Sequence, residues 1–433
     1  MSAHRTDIRE LGPRAVRSPL TSGGFVADSE RILREIELPR PVAGGAPRFF
    51  ELAGPRAELF FDPTRVHAAI VTAGGVCPGI NDVIRGLVLE LRHRYGVRAV
   101  TGFRYGFRGL VTAPPIELDL ASVASIHMTG GTMLGTARGP ADPRDVVDVL
   151  EREGVQMLFV VGGDGSMRAA HAVAEEAARR NAAIAVVGIP KTIDNDIPFV
   201  DKTFGFDTAV STARIALEAA HAEAISGERG VALVKLMGRH AGFLAAHATL
   251  ASHDVNACLV PEVPFELEGP HGLLRWLDRR LEARGHAVIV VAEGCTLPGA
   301  NARERDASGN ERLAADDRDV GRLLKRAIER SFDRATTLKY IDPSYIVRAL
   351  RATAEDATFC DALARNAVHA AMAGKTDILV GRWHRRFTHV ALSDALRADK
   401  RLDPNGPVWR QVLEATGQPS FVAGARSAER IVA

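Results

Sequence analysis

A two-domain α/β fold with mainly parallel sheets is what the sequence predicts, on three observations. The chain has 433 residues, more than one hydrophobic core fills before chains divide into domains. Short apolar runs alternate with longer segments of helical spacing, the pattern of parallel strands joined by crossover helices. Two such series follow one another along the chain. Composition agrees: 46% hydrophobic and 25% charged residues is ordinary globular usage, and 40 glycines with 22 prolines point to many tight turns.

Residues 1–65 read as an irregular arm. The stretch LPRPVAGGAPRFFELAGPR is rich in Pro and Gly, and the aromatic pairs Phe49-Phe50 and Phe60-Phe61 are placed to pin it to a core. The first series then runs through the strands VHAAIVT, AVTGF, QMLFVV and AAIAVVGI, with helices in NDVIRGLVLELRHR, PRDVVDVLERE and MRAAHAVAEEAARR. The second has VALVKLM, ACLVP and AVIVVAE as strands, with helices near 208–225, 240–252, 270–284 and 319–332. Between them NARERDASGNERLAADDRD, at 301–319, is polar enough to be an exposed excursion. Residues 353–373 read as a helix leading into a strand at TDILVG.

Lysine and arginine total 55 against 53 acids, so no global field favours nucleic acid or an anionic membrane as a partner. Any anion site must be local. Cys77, Cys258, Cys295 and Cys360 form no pair at metal-ligand spacing, which fits free thiols in a reducing compartment rather than zinc. The N-terminus MSAHRTDIRELGPRAVRSPL lacks the apolar segment of a secretory signal, and runs such as AVIVVA are too short to span a bilayer. A cytoplasmic protein is expected.

Three glycine-rich turns follow three predicted strands. In α/β sheets ligands bind beyond the carboxyl ends of strands, beside helix N-termini, so these turns are expected to converge on one crevice that takes an anion. In TAGGVCPGIND (72–82), Gly74 and Gly75 leave room for a phosphate, although plain packing explains such a turn as often. In VVGGDGSMRAA (160–170), Asp164 stands among Gly162, Gly163 and Gly165, where a carboxylate can hold Mg²⁺ between phosphate oxygens or cap the following helix. In GIPKTIDNDIP (188–198), Pro190 and Pro198 stiffen a segment carrying Lys191, Thr192, Asp194 and Asp196. Phosphoryl transfer to an alcohol asks for such a set: a carboxylate to take the proton, and positive charge to balance the transferring group. An Asx-turn network without catalytic duty is the alternative.

The runs AIVTAGGVCPGINDVIRG, TGGTMLGTARG, VVGGDGS, GIPKTIDNDIP, LVKLMGRHAGFLAAHATLASHDVNACLVPE and LKYIDPSYIVRA occur in this order. Together, across roughly residues 47–390, they resemble the 6-phosphofructokinase family, and within it the ATP-dependent plant and trypanosomatid branch. The resemblance implies two Rossmann-like domains with the active site in the cleft between them. Their expected extents are 66–205 with 347–397 for the nucleotide and 206–346 with 398–433 for the sugar phosphate. It implies Mg²⁺-dependent transfer from ATP to fructose 6-phosphate, a glycolytic reaction, in a homo-oligomer, tetramer or dimer. Asp194 then matches the general base for the sugar's 1-hydroxyl, with Thr192 beside it, and Asp164 the Mg²⁺-associated acid. The two acids are expected to face each other across the cleft. Gly75, Arg138 with Gly139, and Gly163, Asp164, Gly165 and Ser166 match contacts to the nucleotide phosphates, with Arg138 also placed to neutralise the transferring group. Thr192, Met237, Gly238, Arg239, Glu293, Tyr345 and Arg348 match the acceptor site, to which Lys191, Ile193, Ile346, Val347 and Lys339 are added.

Within the family either ATP or pyrophosphate is the donor. Glycine after the GGD acid, here Gly165, goes with ATP, because an aspartate there crowds and repels the nucleotide's α-phosphate. Lys191 is typical of pyrophosphate users, yet the plant and trypanosomatid ATP enzymes combine this lysine with this glycine. Arg85 keeps one of two effector-binding arginines of the bacterial enzymes, but Leu89 fills the second place. Gly230 and Lys339 stand where other family members have phosphate-binding arginines. Rival readings are a pyrophosphate-dependent enzyme, a kinase of another ketose phosphate such as sedoheptulose 7-phosphate, and a nucleotide-binding scaffold without turnover. Elsewhere, His240 and His247 read as packing residues, GRWHRRFTH as a solvated sheet edge, and Cys77 as a small filler.

Overall fold

Five parallel strands form the centre of the larger sheet. In spatial order they are Ala99–Phe103, His67–Thr72, Met157–Gly162, Ala185–Pro190 and Ile378–Trp383. The computed structural model describes residues 8–21, 24–36, 47–139, 141–297, 303–305, 311–313, 319–332 and 335–422. Every residue of Met157–Gly162 and Ala185–Pro190 is buried, because helices cover both faces of a parallel sheet and the strands become continuous apolar runs. Antiparallel strands finish the edges: Ile116–Glu117 on one side, and Arg386–Ala391, Phe49–Leu52 and Arg31–Leu33 on the other. A second sheet holds Ala257–Leu259, His286–Ala292, Gly230–Leu236 and Leu338–Ile341 in that order, all parallel. The fold is thus α/β with mainly parallel sheets. No helix among the described residues is long and apolar enough to cross a membrane.

Local chemistry sets the helix ends. Asp142 caps Pro143–Arg152 by accepting from the Arg144 N–H at 2.9 Å, with proline at the first turn where no N–H is needed. Asp319 caps Val320–Ser331 through the Arg322 N–H at 3.0 Å. The chain crosses between the sheets three times. Helix Phe206–Ile225 leads to the smaller sheet, and Ala354–Met372 returns to pack on Ile80–Leu89. After Leu392–Ala395 the chain crosses again, and Pro407–Thr416 packs on Phe243–Ser252.

Two expectations change. The arm is not irregular throughout, since Arg31–Leu33 and Phe49–Leu52 extend the larger sheet and Arg9–Glu10 pairs with Lys375–Thr376. The segment GRWHRRFTH is not a solvated edge. It is a hairpin turning at His384 and Arg385, both left-handed (φ 46° and 65°), whose second strand the arm covers, leaving His389 buried. The polar stretch 301–319 contains an antiparallel pair, Arg303–Arg305 with Glu311–Leu313, and its exposure lies outside the described residues.

The arm is held by buried charge. Lys375, with its side chain 0% exposed, reaches Glu51 at 2.7 Å, Glu10 at 2.9 Å and Asp28 at 3.4 Å. Arg56 bonds Glu51 at 2.7 Å and Asp28 at 2.9 Å. Burial opposes ionisation of Glu51, but the His389 hydrogen bond and the charges of His389 and Lys375 outweigh it and bring its pKa down to about 2. A depressed carboxylate stabilises the fold above its unfolded value of 4.5, and that stability is lost as pH falls toward about 2. Glu51→Gln is therefore expected to lower stability at neutral pH by about 3–5 kcal/mol, as when a buried pair loses one partner. Thermal melts on a pH series should also show a shallower acid slope than wild type.

Candidate active site

The glycine turns lie side by side because their strands are neighbours: Met157–Gly162 pairs with both His67–Thr72 and Ala185–Pro190. One buried side chain ties them together. Lys191 donates from Nζ to the Gly75 carbonyl at 2.6 Å, and a Cβ on Gly74 would lie 3.2 Å from that nitrogen and 3.8 Å from Ser166 Oγ. Gly74 is left-handed (φ +92°), so no other residue fits there without strain. Burial pushes the Lys191 pKa down, with Cys77 opposing and the charges of Arg138 and Arg348 adding to it. Gly163 precedes helix Asp164–Arg179, whose positive end opens toward these turns. Gly74→Ala is expected to cost about 1–3 kcal/mol by denaturant titration, and to loosen the Lys191 bond.

Two guanidinium groups flank the first turn. From the place a Cβ on Gly75 would take, Arg348 Nη1 is 3.6 Å away and Arg138 Nη2 3.8 Å. The Arg138 segment is fastened by the Gly74 N–H on the Ala137 carbonyl at 3.1 Å and by Thr136 Oγ1 on the Gly74 carbonyl at 2.8 Å. Arg348 comes from the short helix Ile346–Ala349 and lies over the Tyr345 ring, 5.0 Å from its centroid. Lys235 braces that region from the smaller sheet, pairing with Asp342 at 2.7 Å and with Asp319.

Asp194 lies where the third turn meets the loops of Arg239 and Glu293. Thr192 Oγ1 accepts from its N–H at 3.0 Å, and Thr203 Oγ1 donates to the Thr192 carbonyl at 2.7 Å. Asp194 Oδ1 is buried with no hydrogen-bond partner. Burial raises its pKa well above the usual 3.8, the carboxylates of Asp196 and Glu293 raise it further, and Arg239 pulls the other way through its charge and its backbone N–H. Glu293 follows strand His286–Ala292 and Arg239 follows Gly230–Leu236, so the smaller sheet supplies the opposite wall. A Cβ on Gly294 would lie 1.9 Å from the Arg239 carbonyl oxygen, which is why glycine stands where those two loops cross.

Asp164 lies in the first turn of its helix, half-exposed and paired with Arg168 one turn on. Burial raises its pKa, Arg168 opposes, and Asp196 raises it further, with His240 of the smaller-sheet wall also in reach. Asp164 and Asp194 therefore do not face each other across the cleft. They come from adjacent strands of one wall, and the Asp196 charge acts on both. Asp164 with Asp196 suits a hard cation that takes one or two carboxylates and completes its shell with phosphate oxygens and water. Two other groups of metal-capable side chains, His171-Glu175-Asp377 and Glu10-Asp28-Glu51, already hold cationic side chains.

Some expected site residues stand apart. Lys339 is 48% exposed, pairs with Glu223 at 3.5 Å, and sits opposite Ala232, four residues short of the carboxyl end of strand Gly230–Leu236. Ile193 and Val347 are buried in the core and can offer a ligand only backbone, whereas Tyr345 and Ile346 are exposed. Met237 is half-buried against the core, Gly238 is left-handed (φ 130°), and a Cβ on Gly139 would meet open space. His240 is exposed rather than packed, while His247 is part-buried with Nδ1 2.9 Å from the Phe243 carbonyl oxygen. Cys77 is a buried filler, donating to the Phe204 carbonyl at 3.3 Å. The sequence reading missed Lys235, although a lysine inside the apolar run VALVKLM is a signal, and Lys400, which carries none. A separate cleft of about 630 Å³, lined by Arg229, Arg275 and Phe332 among others, touches none of these residues.

Comparison with known proteins gives one consistent likeness. Residues 67–371 match the family described as Phosphofructokinase. The chain is 44% identical to the ATP-dependent 6-phosphofructokinase of Amycolatopsis methanolica, covering 100% of this chain and 99% of that one. It is 46% identical to the ATP-dependent 6-phosphofructokinase of Trypanosoma brucei brucei, over 86% of this chain and 77% of that one. Among solved structures, the pyrophosphate-dependent phosphofructokinase of Marinobacter aquaeolei superposes with a TM-score of 0.68 at 23% identity, over 85% of this chain and 97% of that one. At that identity the likeness is one of fold.

Proposed function

The chain belongs to the phosphofructokinase family, and from that premise we propose that it phosphorylates fructose 6-phosphate at the 1-hydroxyl with ATP, giving fructose 1,6-bisphosphate and ADP. The observation that carries this reading is the buried, unpartnered Asp194 Oδ1 between the glycine turns of one sheet and the Arg239 and Glu293 loops of the other. In this reading Asp194 takes the hydroxyl proton as the O1–phosphorus bond forms and the bond to the ADP oxygen breaks. Gly75, Arg138, Gly139 and Gly163 to Ser166 receive the donor phosphates on bare backbone, and Lys191 keeps the first turn against the third. Arg239, Arg348, Glu293, Met237, Gly238, Tyr345 and Thr192 receive the sugar phosphate, arginines suiting its phosphate and Glu293 its hydroxyls.

Mg²⁺, held by Asp164 with Asp196 nearby, would neutralise phosphate charge when bound. The nucleotide half would comprise 66–205 with 347–397 and the sugar half 206–346 with 398–433, in a cytoplasmic homo-oligomer serving glycolysis. ATP is favoured over pyrophosphate by Gly165 and by relatives named as ATP-dependent. A coupled assay offering ATP and pyrophosphate separately tests the proposal, with turnover expected on ATP. Faster turnover with pyrophosphate, or a preference for sedoheptulose 7-phosphate in an acceptor panel, would overturn it.

A further inference from the structure

We propose that Lys400 is a positioning residue for this reaction, gripping the turn that carries Asp194 and Asp196 from the segment where the chain makes its third crossing between the sheets. The proposal rests on the reading of Asp194 as proton acceptor. Lys400 Nζ reaches three acceptors on that turn: the Val200 carbonyl at 2.7 Å, Asn195 Oδ1 at 2.9 Å and the Asp201 carbonyl at 3.3 Å. An ammonium has three N–H donors and no acceptor, so all of its capacity is spent here.

Asn195 is the lever. It lies between the two aspartates and is left-handed (φ 54°), a conformation that side-chain hydrogen bonds must hold. Its amide accepts from the Thr203 N–H at 3.1 Å and donates to the Asp201 carbonyl at 3.3 Å, while Lys400 holds the same oxygen. Releasing Lys400 frees this amide on one side, and any rotation at Asn195 swings the carboxylates on either side of it. Lys400 is itself anchored to the opposite half. Two residues on, the Leu402 N–H donates to Glu262 Oε1 at 2.9 Å, and the same carboxylate accepts from the Gly242 N–H ahead of helix Phe243–Ser252.

The groups facing Lys400 are the carboxylates of Asp196 and Asp201 from the turn, and the Phe243 ring, 5.4 Å to its centroid, with His247 from that helix. Burial pushes the ammonium down to about 8, with Asp196 and Asp201 opposing. Burial likewise pushes the His247 pKa down.

The test uses the full chain as wild type, Lys400→Met and Lys400→Arg, with kcat and KM measured at neutral pH. Lys400→Met is expected to lower kcat about 10²-fold, the scale of a small misplacement of a catalytic group, with the KM for ATP little changed. Lys400→Arg keeps the charge and the N–H donors and should keep most of kcat. A Lys400→Met kcat within about twofold of wild type, or a loss in Lys400→Arg as large as that in Lys400→Met, overturns the proposal. Amide hydrogen exchange over residues 192–203 reads the grip without reference to activity. Faster exchange there in Lys400→Met supports it, and unchanged exchange overturns it. Absent wild-type turnover of fructose 6-phosphate would instead sink the reaction assigned above while leaving the exchange result intact.

Discussion

Asp194→Ser is expected to lower kcat by about 10²–10⁴-fold, the usual contribution of a positioned base, while the KM for fructose 6-phosphate stays within a few-fold. The split follows from geometry. The groups assigned to hold the sugar phosphate, Arg239, Arg348 and Glu293, remain in place, and only the proposed proton acceptor is removed. Wild-type activity should fall on the acid side as Asp194 becomes protonated. Burial, Asp196 and Glu293 all raise its pKa, so that limb lies above the ordinary aspartate value of 3.8. The same shift has a stability sign. A carboxylate raised on folding favours the protonated folded state, so its ionisation destabilises the fold as pH rises through and above the unfolded value. Asp194→Ser should therefore melt higher than wild type at neutral pH while losing turnover, as expected where a site carries strained charge for function. A variant with near-native kcat would remove Asp194 from the chemistry, whatever its melting temperature.

What could be read from the sequence was whatever rests on local pattern. Met157–Gly162 and Gly230–Leu236 are apolar at nearly every position because both faces of their sheets are covered, and such runs announce parallel strands. The glycine turns were legible because Gly74 and Gly294 answer to backbone geometry that no larger residue meets. The arm was not. Arg31–Leu33 and Phe49–Leu52 are short, and the strand that Phe49–Leu52 pairs with, Arg386–Ala391, lies more than 300 residues away, so no local periodicity records that pairing. Side-chain position was harder still. His240 and His247 share one helical-looking run, yet the helix begins only at Phe243, leaving the first histidine in a loop beside Asp164 and the second inside. Lys339 illustrates the converse. A basic residue at a family position implies phosphate, but in this chain it meets Glu223 on helix Phe206–Ile225. Lys400 sits in RADKRLD, a charged run with no local signal, and only the third chain crossing brings it to the turn that carries Asp194.

Gly165→Asp should sharply reduce ATP use while leaving the fold sound. Residue 165 is in the first turn of helix Asp164–Arg179, where an added acid complements the helix dipole and replaces a poor helix former, so melting temperature should hold or rise. The same carboxylate would stand beside Asp164, whose ionisation is already opposed by burial and by Asp196, in the space proposed for the nucleotide phosphates. Two like charges about 4 Å apart repel by about 4 kcal/mol at an effective dielectric near 20, which sets an upper scale of about 10³-fold. With ATP as donor, kcat/KM is expected to fall by about 10²–10³-fold. Pyrophosphate has no third phosphate for the new charge to meet, so the gap between the two donors should narrow. Gly165→Ala adds bulk without charge and separates the causes: a small loss there with a large one in Gly165→Asp assigns the effect to repulsion, and equal losses assign it to crowding. If ATP use in Gly165→Asp stayed within a few-fold of wild type, the phosphates would not pass this turn, and the donor site would have to be sought away from the Gly163 to Ser166 backbone.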